Sequence, residues 1–217
     1  DGFFNIVNLL SASGEDRGPF ANVFIQECEL MKCLCDLIKK NVNDIKDAID
    51  GKLTMTESIE RNIDLISSDR VPEQWINDGF STSRKLTPWL TSIELRIQQY
   101  KIFETENAPP KIVFINRLFN PLSYLTAIRQ TFAQKSNLEL DKLIIITEPT
   151  NIDLRNQKDS ITLPKDGILV YGMHLQGARW DDENRIIDES KPREDYCVMP
   201  VINCKTEDTS KIKLDDK

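Results

Sequence analysis

The chain reads as an α+β protein in which the two classes of structure are segregated along the sequence. Two observations predict this. From Phe24 to about Ser136 the apolar residues recur three and four apart, the spacing of one helix face. Beyond Asn137 they fall instead into short runs rich in isoleucine and valine, separated by Pro, Gly, Asn and Asp. The expected organisation is a helical subdomain over residues 1–136 with about five helices, then a β-rich, mainly antiparallel subdomain over 137–217. Its strands either stay open or form an incomplete barrel.

The first helix is predicted by Phe24, Cys28, Met31, Cys35, Ile38, Val42, Ile45 and Ile49, which alternate steps of four and three. Leu30, Leu34 and Leu37 widen the stripe, and Asp50-Gly51 ends it with a residue suited to a left-handed cap. A coiled-coil dimer is the rival use of this stripe, but ordered e/g charge pairs are missing. A second helix is expected from about Thr54, with Glu57 three residues on as in a capping box and Met55, Ile59, Ile63 and Ile66 on one face. So short a turn predicts antiparallel packing of the two.

Pro72 and Gly79 confine residues 71–76 to a short helical element packed through Trp75. Residues 87–100 are expected to be helical, with Trp89, Leu90, Ile93, Ile97 and Tyr100 on one side and Pro88 tolerated in the first turn. After the break at Ala108-Pro109-Pro110, Asn120 is a good N-cap and Pro121 a good first helical residue for a helix carrying Leu122, Leu125, Ile128 and Phe132. Strands are predicted at 143–147, 161–163, 168–175, 185–187 and 198–203.

Twenty-eight basic residues against 35 acidic ones give a formal net charge of -7. Such a surface repels nucleic-acid phosphates, anionic membranes and an acidic filament such as a microtubule, so none of these is an expected direct partner. Without a long apolar run or a signal peptide the plain expectation is a soluble intracellular protein. Cys28, Cys33, Cys35, Cys197 and Cys204 lack paired short spacings, which favours free thiols. On a helix, Cys33 and Cys35 point about 200° apart, a poor start for a metal site.

Nucleotide chemistry finds no residues to carry it. A phosphate cradle needs Gly-x-x-x-x-Gly-Lys-Ser/Thr, and Gly51-Lys52 is followed by Leu53 with no glycine five residues earlier. His174, the single histidine, would need a nucleophile brought to it by folding; alternation from Ile168 puts it instead on a strand face with Val170 and Gly172. Asp181, Asp182 and Glu183 could sketch a cation site, yet three consecutive acids lack the alternating oxygen ligands of a calcium loop and more often cap a turn. No catalytic, nucleotide-binding or metal residue is expected, and no cofactor.

The motifs carry a resemblance. Val71-Pro72-Glu73-Gln74-Trp75, then Leu86-Thr87-Pro88-Trp89 with Arg96, then Leu118-Phe119-Asn120-Pro121-Leu122-Ser123-Tyr124-Leu125-Thr126 with Gln130, Phe132 and Ala133 form the first three blocks. Gly177-Ala178-Arg179-Trp180-Asp181, and Asp188-Glu189-Ser190-Lys191-Pro192 followed by Met199-Pro200-Val201-Ile202, complete them. In this order the blocks resemble the C-terminal region of dynein heavy chains, the ATP-driven microtubule motors, and the Gly-Ala-Arg-Trp-Asp corner points to the axonemal kind. Phe114 and Arg117 depart from the pattern, standing where the family often has tryptophan and glycine.

The resemblance implies a segment of a much larger polypeptide, following the last AAA+ module and lying on one face of the motor ring. It implies a noncatalytic role that modulates ATP-driven movement, with ATP and magnesium bound elsewhere in the parent ring. The AAA+ modules of the same polypeptide are the implied partners, and the implied location is the cytoskeleton of a cilium or flagellum. An adaptor surface for accessory dynein chains or neighbouring motors is the alternative. Trp75, Trp89, Phe119, Pro121, Gly177, Arg179 and Trp180 are the candidates for core or ring interface. A separate enzyme built on His174 or Asp181 is the remote third reading.

Overall fold

The computed structural model describes residues 18–82, 84–106, 108–152, 154, 164 and 167–211. The chain divides into two compact units, Phe24–Thr105 and Arg17–Val23 with Glu106–Lys217. The change of structural class at residue 136 is therefore not where compactness divides the chain, since one helix and one strand beyond residue 105 belong with the sheet.

The first unit is helical. Helix α1 spans Pro19–Ile49, its first residues clustering with the second unit. It buries Phe24, Cys28, Met31, Leu34 and Cys35, so the N-terminal half of the stripe is used inside the protein rather than in a coiled coil. Gly51 takes φ +73°, and the N–H of Lys52 returns to the Asp47 carbonyl at 2.8 Å, closing the helix as expected. Helix α2 covers Glu57–Ser67, capped by Thr56 and not Thr54: Thr56 Oγ1 accepts from Ile59 N at 3.4 Å. The reason is local, because the Leu53 N–H is still tied to Asp47 and the backbone cannot enter a new helix so soon.

Helix α3 is the short Glu73–Asn77 element, and α4 runs Leu86–Glu106, longer than its apolar pattern predicts. Phe24 stacks on Phe103 (centroids 4.3 Å, 10°) and meets Tyr100 edge-on at 6.4 Å. These rings make the centre of the unit.

The second unit pairs a sheet with helix α5, Pro121–Ser136. Asn120 Oδ1 accepts from Ser123 N at 3.2 Å, Pro121 opens the helix, and Asn137 closes it at φ 52°. Strands β1 (Ile112–Phe114), β2 (Leu143–Pro149), β3 (Ile168–Tyr171) and β8 (Ile202–Asp208) form one sheet in the order β1-β3-β8-β2. The pair β1/β3 is parallel, and β8 runs antiparallel to both β3 and β2. Two ribbons complete the unit: β4 (His174–Gln176) with β7 (Tyr196–Val198), and β5 (Ala178–Asp181) with β6 (Ile186–Glu189). The described strands do not close into a barrel. Ile112, Leu169 and Val201 form a buried cluster against which Ile152, Leu154 and Tyr171 pack.

Three strand expectations change. Residues 168–175 are not one strand: Gly172 at φ +93° breaks the alternation, and His174 emerges exposed on β4 opposite Val198 instead of sharing a face with Val170. Residues 198–203 divide around Pro200, which has no N–H to give a ladder. Strand β1 was not predicted because three residues beside Pro109-Pro110 are too few to show a period. The segment 161–163 lies outside the described residues.

Candidate functional site

The tryptophans of the helical unit are core. Trp75 on α3 is 2% exposed and Trp89 on α4 is 0% exposed. Their rings stack at 6.1 Å and 17°, with Phe80 5.2 Å from Trp89. Gly79 lets the backbone turn here, since a built Cβ would sit 2.6 Å from the Trp75 carbonyl and 3.0 Å from Leu34. Trp75 Nε1 donates to Asn41 Oδ1 at 2.7 Å, whereas Trp89 Nε1 is buried with no acceptor among the described residues. Their differing polar environments are the measurable property of the pair.

Beside this stack lies a buried polar network that pattern reading missed. Tyr100 donates its hydroxyl to Glu27 Oε2 at 2.8 Å, and Arg96 hydrogen-bonds the same tyrosine while its guanidinium lies 3.9 Å from the centroid of Phe80. Glu27 is 1% exposed. Burial, then the neighbouring Glu27 charge, pushes the Tyr100 hydroxyl well above its usual range, and burial lowers Arg96. The signal was available: Glu27 falls inside the apolar stripe of α1, where an unpaired acid would be costly.

In the second unit Phe119 and Pro121 flank the cap of α5, both half-buried. They set the helix start. Phe114 and Arg117 meet each other, for the Arg117 guanidinium lies 3.8 Å from the Phe114 ring centroid.

Gly177, Arg179 and Trp180 stand together on the β5 ribbon. Gly177 enters it at φ +68°, its N–H reaching the Asp195 carbonyl at 3.4 Å. The Trp180 N–H reaches Cys197 Sγ at 3.4 Å, and Trp180 is half-buried. The Arg179 guanidinium has its Nε buried without an acceptor among the described residues. Asp181 is consumed by the turn: its Oδ1 accepts from Glu183 N at 2.9 Å and its Oδ2 from Asn184 Nδ2 at 2.7 Å. The Asn184 side chain, then these backbone amides, hold its carboxyl below the ordinary aspartate range. Of the three acids, Asp181 thus caps the turn.

Trp180 lines an open cleft of about 540 Å³ with Tyr171, Asn151, Asp182, Arg185 and Pro200. Arg185 pins the ribbon to the end of β2, donating to Asn151 Oδ1 and, at 2.6 Å, to the Pro149 carbonyl. Its lining mixes Ile152, Leu154 and Pro200 with Asn151, Asp182 and Arg185, and its exposed surface is more polar than apolar. Among the described residues no three acids, cysteines or histidines converge as metal ligands, and no helix is long and apolar enough to cross a membrane.

A family model described as the C-terminal domain of the dynein heavy chain matches residues 3–217. The dynein beta chain of the flagellar outer arm from Chlamydomonas reinhardtii is 38% identical over 199 residues, covering 91% of this chain and 4% of that protein. Dynein axonemal heavy chain 17 of Homo sapiens is 32% identical over 92% of this chain, again 4% of its own length. The ciliary dynein beta chain of Tripneustes gratilla is likewise 32% identical over 92% of this chain. The sequence thus spans about 4% of the length of the relatives it matches.

Proposed function

The chain belongs to the family of C-terminal domains of dynein heavy chains, and from that premise we propose that it serves as a noncatalytic, regulatory piece of an axonemal motor. In this reading its parent carries AAA+ modules that bind ATP and magnesium, and this segment packs on their ring and works in the axoneme of a cilium or flagellum. The observation that supports it is a family match running from residue 3 to residue 217, in a sequence with no phosphate-cradle run of its own.

The mechanism is mechanical. A folded body touching more than one module changes the relative free energies of ring conformations, and only contacts that differ between those conformations shift the balance. A coupling of about 1 to 3 kcal/mol would change nucleotide affinity roughly 5- to 150-fold. The half-buried Trp180 and its cleft, rather than the fully buried Trp75 and Trp89, are the aromatic surface in a position to make such contacts.

The test is removal of this segment from the complete motor, with ATPase turnover and microtubule stepping as readouts. The proposal expects both to change, while the isolated segment hydrolyses nothing. Unaltered turnover and stepping would refute it. An adaptor role for accessory dynein chains is the second reading, favoured by one observation: all four residues of β6 are exposed. Capture of a light or intermediate chain by the isolated segment would support that role, which does not require contact with the ring.

A further inference from the structure

The β5–β6 ribbon ends in a strand built like a surface awaiting another strand. Among the described residues β6 pairs with β5 alone, leaving its other edge open. Ile186 and Ile187 are 53% and 60% exposed, large apolar side chains on a strand only four residues long. Trp180 stands directly opposite Ile187 in the register, so the two share one face of the ribbon. An isolated two-stranded ribbon is marginal in water, and an open apolar edge is a template for pairing.

Charge decides what kind of strand would fit. Residues 178–189 carry five carboxylates and two guanidiniums. Both cations are turned to the protein itself: Arg185 is bonded to Asn151 and Pro149, and the Arg179 Nε is shut off from solvent. Asp182, Glu183, Asp188 and Glu189 remain at the exposed surface around the two isoleucines. A second copy of the ribbon would bring like charges together, and an anionic lipid surface would be repelled.

We propose that β6 is a strand-addition site for a protein segment that alternates β-branched apolar residues with lysine or arginine. Main-chain bonds to the open edge supply affinity, Ile187 and Trp180 seat the apolar side chains on one face, and Asp188 on the opposite face selects the cations. This stands apart from any effect on motor turnover. A strand on β6 would bind whether or not the ring is present.

The experiment uses the 217-residue protein and a dye-labelled peptide alternating valine with lysine, followed by fluorescence anisotropy. Three controls accompany it: the same peptide with glutamate for lysine, an alternately N-methylated copy, and sedimentation of the protein alone. The expected result is saturable binding of the lysine peptide, at least about tenfold weaker binding of both peptide controls, and a monomeric protein. Ile187→Lys should weaken binding about tenfold with an unchanged melting temperature, and Asp188→Lys should reverse the charge preference. No binding, binding indifferent to N-methylation or to Ile187→Lys, or self-association through this edge would each overturn the proposal.

Discussion

Substituting phenylalanine separately at Trp75 and Trp89 should give unequal losses of stability, although the two rings are stacked on one another and almost equally buried. Removing the extra ring leaves roughly 40 Å³ at either site, costing about 1 kcal/mol at about 24 cal/mol per Å³. The polar consequences then diverge. At Trp75 the hydrogen bond to Asn41 Oδ1 is lost and that oxygen keeps no indole donor, adding about 1 kcal/mol. At Trp89 the substitution removes a buried N–H that has no acceptor among the described residues, returning about 1 to 3 kcal/mol. Trp75→Phe should therefore destabilise by about 2 kcal/mol, while Trp89→Phe should be close to neutral or slightly stabilising. Urea unfolding followed by far-ultraviolet circular dichroism, which the helices dominate, measures both. Equal losses, or a larger loss at Trp89, would refute the reasoning that the indole nitrogens and not the rings distinguish the pair.

Three further outcomes are expected. Because the Asp181 carboxyl is held below its unfolded value, the order it gives the β5–β6 turn is fully present above the ordinary carboxylate range. That order is lost as pH falls through the lowered folded value. Amide exchange at Glu183 and Asn184 should accelerate there, and Asp181→Asn, which keeps an acceptor, should remove the pH dependence. Thiol labelling at pH 8 should mark exposed Cys33 first and half-buried Cys197 more slowly, while Cys35 and Cys204, pushed up to about 11, and Cys28, pushed up to about 12, react only after unfolding. Gly172→Ala should cost about 2 kcal/mol or more on thermal unfolding, since φ is +93° and the new Cβ would meet Asn116 Oδ1 at 2.5 Å. A silent Gly172→Ala would mean that the break between β3 and β4 is not needed.

The helical unit was legible because its order is written in short-range spacing. The stripe from Phe24 to Cys35, the Gly51 cap and the Asn120-Pro121 start all rest on neighbours within one or two turns. Thr54 misled because a capping box reads only the residues after the cap, while Leu53 is still engaged with the helix before it. Strand positions were mostly found, but their partners were not. Pairing of β1 with β3 joins residues more than fifty positions apart, and no local pattern announces it.

Among the candidate residues, the sequence singled out three tryptophans alike. Trp75 and Trp89 are buried against each other, with Phe80 on Trp89, whereas Trp180 is half-buried on a four-residue strand. Burial depends on the side chains that distant segments bring, which is why composition alone could not rank them. The exposed β6 edge was invisible for the same reason: Ile186 and Ile187 look like ordinary core strand residues until their neighbours are known.

Strand β8 bonds to β3 on one side and β2 on the other, and it is the last of the four to leave the ribosome. Until residues 202–208 are synthesised, the flanking strands have no common neighbour, so β2 can join the β1/β3 pair only at the end. A premature stop before that point would leave the β1/β3 pair with a bare edge and β2 with no partner in the sheet, exposing half-made strands for the quality-control machinery to clear.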